Sequence, residues 1–437
     1  MNTWRALSLL ALLAAAAAAA AVAPAARRLA AARPSPGDSG CIELDSARLQ
    51  NIINGALAQL EAIAAIRERP DGSGPKPEGE RVLPADQFPN STDPGSGLWL
   101  GSQASKWTAG YLADCYWRAH ALTGDPAWVE LAAAELPGLE PVASETDNHK
   151  VSHIFDSAVS EAIAARVPGA PLQQYQRVLQ TAAGSLAARY SDRVGAIQSW
   201  NDIGDPEFDV IIDSMASLKI MFEAAAVPGG DPAWAGMALS HSRKVAEEHF
   251  RSDGGTYHVV RYNPQTGAVV WRGTHQGYAD NSTWASVQAW GVVGFTHVYN
   301  ATRDPAMLAT ACTAADYFLQ RLAEADDGVP LWDFDLPKAV QPWKDSSAAA
   351  IAASGLLRLG PLAEEPLYTA AGAQHVASLA DGYLGWEGGG QRVAAVLRNG
   401  TFNAPKGLHS TGLSWGDWYF LDALSTLQRL GNSTACA

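Results

Sequence analysis

Cysteine, basic charge and late apolar runs are all scarce in this chain. Its 437 residues include only four cysteines, room for two disulfides at most, and no tight cysteine pair that would hold zinc. Lys and Arg total 31 against 45 Asp and Glu, a net charge of -14. After Arg27-Arg28 no basic cluster interrupts the acidic balance, which excludes nucleic acid and anionic membranes as natural partners. The 10 histidines lack paired His-Glu spacing, and there is neither a phosphate loop nor a Gly-x-Ser-x-Gly elbow. Gly388-Gly389-Gly390 reads as a turn. No metal and no cofactor is expected.

The one long apolar run stands at the start. Arg5 precedes a Leu/Ala stretch from Ala6 to Val22, and small residues follow at Ala23-Pro24-Ala25-Ala26. Residues 1–26 thus have the layout of a secretory signal peptide, with an uncleaved anchor as the rival reading. Residues 27–44 read as a flexible segment and 45–437 as one domain, expected to be a secreted, extracellular monomer, free of the membrane after signal removal. Sequons at Asn90, Asn281, Asn300, Asn399 and Asn432 agree with secretion. Cys41 and Cys436 are candidates for tying the termini to the body, while Cys115 and Cys312 read equally well as buried free thiols.

What is abundant is helix. Asp125-Pro126, Asp231-Pro232 and Asp304-Pro305, with looser Ala170-Pro171 and Glu365-Pro366, place an acidic cap before a first-turn proline. Helical periodicity follows over residues 158–166, 175–190, 214–226, 284–299, 308–323 and 346–359. Starts 45 to 75 residues apart, as read from the chain, imply repeating helix pairs. Their natural closed form is a toroid with a funnel at one end. The strand signal is confined to Gly255–Tyr262 and Thr266–Trp271, a single hairpin on the rim.

Functional chemistry concentrates in Thr274-His275-Gln276-Gly277-Tyr278-Ala279-Asp280-Asn281-Ser282-Thr283-Trp284 and on to Gln288-Ala289-Trp290. Indoles stack on the apolar faces of pyranose rings while amides and hydroxyls meet ring hydroxyls, so this mixture suits a carbohydrate cleft. Trp107, Trp200 and Trp415 keep similar polar company among the 15 tryptophans. Asp213 follows the apolar run Val210-Ile211-Ile212. It is either a helix cap or a general acid whose pKa is raised by apolar neighbours.

Trp107-Thr108-Ala109-Gly110-Tyr111, Ile211-Ile212-Asp213, Thr274 to Trp290, Leu331-Trp332-Asp333-Phe334-Asp335, the Asp345-Ser346-Ser347-Ala348 run and Trp415-Gly416-Asp417-Trp418 resemble the unsaturated glucuronyl hydrolases of glycoside hydrolase family 88, a six-hairpin glycosidase family. The segments occur in family order. The resemblance implies an all-α (α/α)6 barrel and substrates left by polysaccharide lyases, oligosaccharides ending in a C4=C5 unsaturated uronic acid. By the family motif Asp213 protonates C4 and helps water add at C5. His149, Lys150, His258, Gln276, Trp107, Trp200, Trp284, Trp290, Ser410, Ser414 and Trp415 are the implied substrate contacts.

Three motifs depart from the family. Its His-Asp-x-Gly-Phe is His149-Lys150-Val151-Ser152-His153, its Arg-Gly-Gln is Ser286-Val287-Gln288, and its Gly-Phe-x-Pro-Gly is Gly110-Tyr111-Leu112-Ala113-Asp114. An ammonium at Lys150 would lower the Asp213 pKa if it stood close by. Either Asp147 or Asp156 supplies the second carboxylate through a shifted register, or catalysis is lost and the protein only binds acidic sugars. A related enzyme reading is the unsaturated rhamnogalacturonyl hydrolases, which act on pectin fragments.

Overall fold

The computed structural model describes residues 44–73, 82–147, 149–155, 159–165, 167, 170–200, 206–323, 325–337, 339–340, 342–386 and 392–431. The signal-peptide segment, Cys41, Cys436, Asn432, Gly388–Gly390 and Asp156 lie outside these residues.

Helices dominate because the acidic starts work as caps. Asp125, Asp231 and Asp304 accept from the backbone N–H two residues on, at 2.9, 2.9 and 3.0 Å, and Glu365 does the same at 3.2 Å. Of these five starts, Ala170-Pro171 alone lacks a side-chain cap. The helices are α1 (Ser46–Ile66), α2 (Tyr111–Thr123), α3 (Ala127–Leu139), α4 (Val151–Phe155), α5 (Ser160–Ala165), α6 (Leu172–Ala187), α7 (Ser214–Ser217), α8 (Lys219–Ala226), α9 (Ala233–Glu248), α10 (Ala285–Thr302), α11 (Pro305–Leu322), α12 (Ser346–Ala363), α13 (Pro366–Gly382) and α14 (Ser414–Leu430).

Burial sorts them into two rings. In α12 every residue from Ser346 to Leu357 is buried, as only a helix surrounded by other helices can be. By contrast α9 buries the single stripe Ala238, His241, Ser242 and Val245, the i, i+3, i+4, i+7 pattern of an outer helix. Inner helices α2, α4–α5, α7–α8, α10, α12 and α14 alternate in sequence with outer helices α1, α3, α6, α9, α11 and α13. Packing of α12 on α10 and α14, and of α14 back on α2, closes the ring.

The strand content corrects the sequence expectation in one respect. The strands are β1 (Phe88–Thr92), β2 (Trp99–Ser102), β3 (Tyr190–Ser191), β4 (Ala196–Ile197), β5 (Phe208–Ile211), β6 (Val259–Tyr262) and β7 (Val269–Gly273). The hairpin forms as β6 with β7, but β6 also pairs antiparallel with β5. That third strand is buried on both faces, its one charged residue, Asp209, being paired with Arg261, so no clean polar-apolar alternation marked it as a strand. The sheet is therefore more than a rim feature, since β5 leads directly to Asp213. Shorter pairs join 88–92 with 99–102 and 190–191 with 196–197. Cys115 and Cys312 are buried and free.

Candidate active site

Antiparallel pairing sets the centre of the site. Ile211 pairs with Val259, and the Ile212 N–H donates to the His258 carbonyl at 3.2 Å, so Asp213 and His258 emerge side by side. Asp213 opens α7 but makes no capping hydrogen bond. Its Oδ2 is buried with no hydrogen-bond partner among the described residues, which settles the capping alternative against itself. Burial pushes the Asp213 pKa up to about 7, opposed by its own backbone N–H. No ammonium offsets that rise, so the lowering expected from Lys150 does not occur.

His258 Nε2 lies 3.6 Å from Asp213 Oδ2. Burial lowers the His258 pKa to about 3, so the imidazole is neutral near pH 7. Its Nδ1 accepts the His275 backbone N–H at 3.4 Å, which puts the ring proton on Nε2, facing the carboxyl. A donor so placed stabilises the carboxylate that forms whenever Asp213 gives up its proton.

Around this pair lies a cavity of about 250 Å³. Its lining comprises Asp213, His149, Lys150, His258, Gln276, Trp107, Trp200, Trp284, Trp290 and Trp415, all expected from sequence, with Lys106, His153, Ile211, Ser286, Thr401 and Phe402. Trp107 packs at 4.7 Å from Trp415, ring centroid to centroid, and both contact Phe402. His153 touches Trp107 and Trp290. Trp284 and Trp200 flank His258 at 5.1 and 5.9 Å. This aromatic wall with convergent polar tips is what a pyranose requires.

Buried groups behind the wall hold it in place. Arg189 donates to the carbonyls of Gln198, Thr146 and Trp200 at 2.8, 2.6 and 2.9 Å, fixing the Trp200 loop against the loop before His149. The His149 N–H and ring Nδ1 both bond the Ser199 carbonyl, and the Ser199 hydroxyl accepts from Ile211 N–H at 2.9 Å. Gly110 is obligatory here: a Cβ would sit 2.0 Å from the Ile154 carbonyl oxygen. Gln276 is oriented by its amide donating to the Phe402 carbonyl at 2.9 Å.

Several expected residues serve elsewhere. Asp147 is exposed and outside the cavity lining, because the chain turns inward only at His149. Ser410 is exposed at a positive φ of 58°, and Ser414 is buried at the start of α14; neither lines the cavity. Asn281 is exposed outside the cavity lining rather than within the cleft, while Gln288 is a buried brace donating to the Gly254 and Ala314 carbonyls, both at 3.1 Å. Ser286, where the family pattern has arginine, donates to Asp345 Oδ2 at 2.7 Å. Lys106, Ile211, His153, Thr401 and Phe402 line the cavity beyond the expected contacts; Ile211 and His153 belong to motifs legible in the sequence and Lys106 adjoins one, whereas Thr401 and Phe402 carry no such signal.

Among the described residues Asp213 is the only carboxyl in the lining, and no cluster of three or more His, Cys, Asp or Glu is arranged to hold a metal. The two-carboxylate pattern of ordinary glycosidases is thus not assembled by the described lining. One neutral, buried carboxylic acid beside a neutral imidazole can donate a proton and later recover one from water.

No protein-family model matches the chain. The unsaturated glucuronyl hydrolase of Formosa agariphila is 32% identical over 362 residues, which cover 79% of this chain and 86% of that protein. The unsaturated chondroitin disaccharide hydrolase of Streptococcus pyogenes serotype M1 is 31% identical over 332 residues, 73% of this chain and 80% of that protein. The crystal structure of unsaturated glucuronyl hydrolase from Bacillus sp. GL1, described as responsible for glycosaminoglycan degradation, superposes with a TM-score of 0.76 at 28% identity. It covers 88% of this chain and 98% of that one. At this identity and over this length the chain belongs to the unsaturated glucuronyl hydrolase family, and its ring of helix pairs is that family's (α/α)6 barrel.

Proposed function

We propose that this protein removes the Δ4,5-unsaturated uronic acid from the non-reducing end of lyase-generated, glycosaminoglycan-type oligosaccharides, with Asp213 as both acid and base. The observation that carries this is the buried Asp213 carboxyl, raised to about 7 and facing the His258 Nε2–H at the end of an aromatic cavity. Near neutral pH the acid form is populated, and it gives its proton to C4 of the C4=C5 bond. Water adds to C5 and its proton returns to the Asp213 carboxylate. The hemiketal formed at C5 opens the ring, and the hemiacetal left at C1 collapses to an aldehyde and releases the linked sugar. Each proton taken from Asp213 is replaced, so no second carboxyl is needed.

His258 steadies the transient carboxylate, and the indoles of Trp107, Trp200, Trp284, Trp290 and Trp415 hold the sugar faces. A secreted location is supported by the signal-peptide layout of the sequence over residues 1–26 and by exposed sequon asparagines at Asn281 and Asn300.

The test follows the ultraviolet absorbance of the conjugated double bond in unsaturated chondroitin, hyaluronan and rhamnogalacturonan disaccharides. Wild type bleaches the glycosaminoglycan disaccharides, and Asp213→Asn, which has no proton to give, loses at least about a hundredfold in kcat. Equal rates in the variant would remove Asp213 from the mechanism, and bleaching of rhamnogalacturonan alone would move the substrate to pectin fragments.

A further inference from the structure

His241 is a buried imidazole that the hydration chemistry does not use. It stands on the inward stripe of the outer helix α9, between Ala238 and Val245, and outside the cavity lining. A polar ring in such a stripe costs stability unless its nitrogens are satisfied. Burial lowers the His241 pKa to about 3, so the ring is neutral near pH 7.

Its two hydrogen bonds fix where the ring proton sits. Nδ1 accepts the Ile197 N–H at 3.0 Å, and a neutral ring whose Nδ1 accepts carries its proton on Nε2. That Nε2–H donates to the buried Ser214 hydroxyl at 2.9 Å. The hydroxyl in turn donates to the Ile211 carbonyl at 2.6 Å, closing the turn that carries Asp213. From the C-terminal end of the same helix, His249 Nε2 donates to the Val210 carbonyl at 3.1 Å. Helix α9 therefore grips the last two carbonyls of β5, one directly and one through Ser214.

The acid depends on that grip. Asp213 Oδ2 has no hydrogen-bond partner among the described residues, and His258 Nε2 stands 3.6 Å away, so the carboxyl takes its place from the turn beneath it. Ile197 ends β4, three residues ahead of Trp200, so the same ring also anchors the strand that leads to that indole. We propose that His241 and Ser214 are positioning residues for the hydration reaction: their hydrogen-bonded chain holds the Asp213 carboxyl at its distance from His258 and ties it to the strand leading to Trp200. The proposal rests on the hydrolase reading and adds to it two residues that never touch the sugar.

Three variants separate the two ends of the chain. His241→Asn keeps an amide oxygen at the Nδ1 position for the Ile197 N–H but is too short to reach Ser214. His241→Gln puts an amide N–H at the Nε2 position and keeps the Ser214 bond. Ser214→Ala removes the middle of the chain, and so small a change keeps the test open if His241→Asn does not fold. On the unsaturated disaccharide that wild type bleaches, His241→Asn and Ser214→Ala each lose at least about tenfold in kcat while KM changes by less than about twofold, because a misplaced acid slows the chemistry and leaves sugar binding intact. His241→Gln stays within about threefold of wild type, since its hydrogen bond to Ser214 is retained. The double variant His241→Asn/Ser214→Ala is no slower than the slower single one, as residues acting as one unit require. Crystal structures of the two single variants give a readout that needs no turnover: the Asp213–His258 separation grows from 3.6 Å by about 0.5 Å or more. If that growth is seen but wild type bleaches no disaccharide, the hydrolase reading alone is sunk. Equal losses in His241→Asn and His241→Gln, additive losses in the double variant, or a separation unchanged in both single variants overturns the positioning role.

Discussion

Burial that holds Asp213 near a pKa of about 7 makes chemistry and stability depend on the same proton. As the donor is lost, kcat/KM falls when pH rises above about 7. Stability moves the same way: a carboxyl whose folded pKa lies above its ordinary 3.8 contributes fully below that value and loses its contribution as pH climbs to about 7. The difference is of the order of 4 kcal/mol. Asp213→Asn removes this titration and should gain stability over wild type between pH 4.5 and pH 8, read as a widening gap in urea midpoints. Asp417, another buried carboxyl raised to about 7, titrates in both proteins and cancels from the comparison. A gap that stays constant across that range would show that Asp213 is ionised throughout. At this scale the sequence was informative where a residue carried both chemistry and motif context, as Asp213, His258 and the indoles did. Thr401 and Phe402 carry no such mark, because what makes them lining residues is a fold contact.

Elements, more than single side chains, decide where those groups meet. The strand Phe208–Ile211 was invisible to alternation because both its faces are covered, while the helices were legible through caps that their acidic residues do form. The meeting of α2 with α4 is a case where one atom matters. Gly110 lets the turn carrying Lys106 and Trp107 lie directly on the Ile154 carbonyl, with room for no Cβ. Gly110→Ala must push the two segments apart, at a cost of about 1–3 kcal/mol or more. His153 sits 5.5 Å from Trp107, so the same displacement opens the cavity wall. The variant should show a lower urea midpoint together with a raised KM. Loss of stability with an unchanged KM would mean that the wall repacks independently of the turn.

Closure of the whole ring rests on contacts that no local pattern reveals. Arg118 of α2, Arg358 of α12 and Asp422 of α14 meet inside the barrel, with Arg118 Nη2 2.8 Å from Asp422 Oδ1 and Arg358 bonding both carboxylate oxygens. Some 300 residues separate Arg118 from Asp422, so this cluster ties the first inner helix to the last. Burial opposes the Asp422 charge, but the two guanidiniums outweigh it and hold the carboxyl well below its usual range. A depressed folded pKa contributes stability above the ordinary value of 3.8 and loses it as pH falls below. Asp422→Asn leaves two guanidiniums without their anion, and removing one partner of such a buried cluster destabilises by about 3–5 kcal/mol. Urea unfolding at pH 7 should therefore show a large fall in midpoint, and the gap to wild type should narrow as the pH drops below 4. A gap of the same size at acid pH would mean that the carboxylate charge is not what closes the ring. Because the cluster joins helices from opposite ends of the chain, its loss should also lower the unfolding midpoint reported by Trp418, on α14, as much as that reported by far-ultraviolet dichroism. Coincident transitions mark one cooperative ring, whereas an earlier fluorescence transition would mark a ring that opens first at the α2–α14 seam.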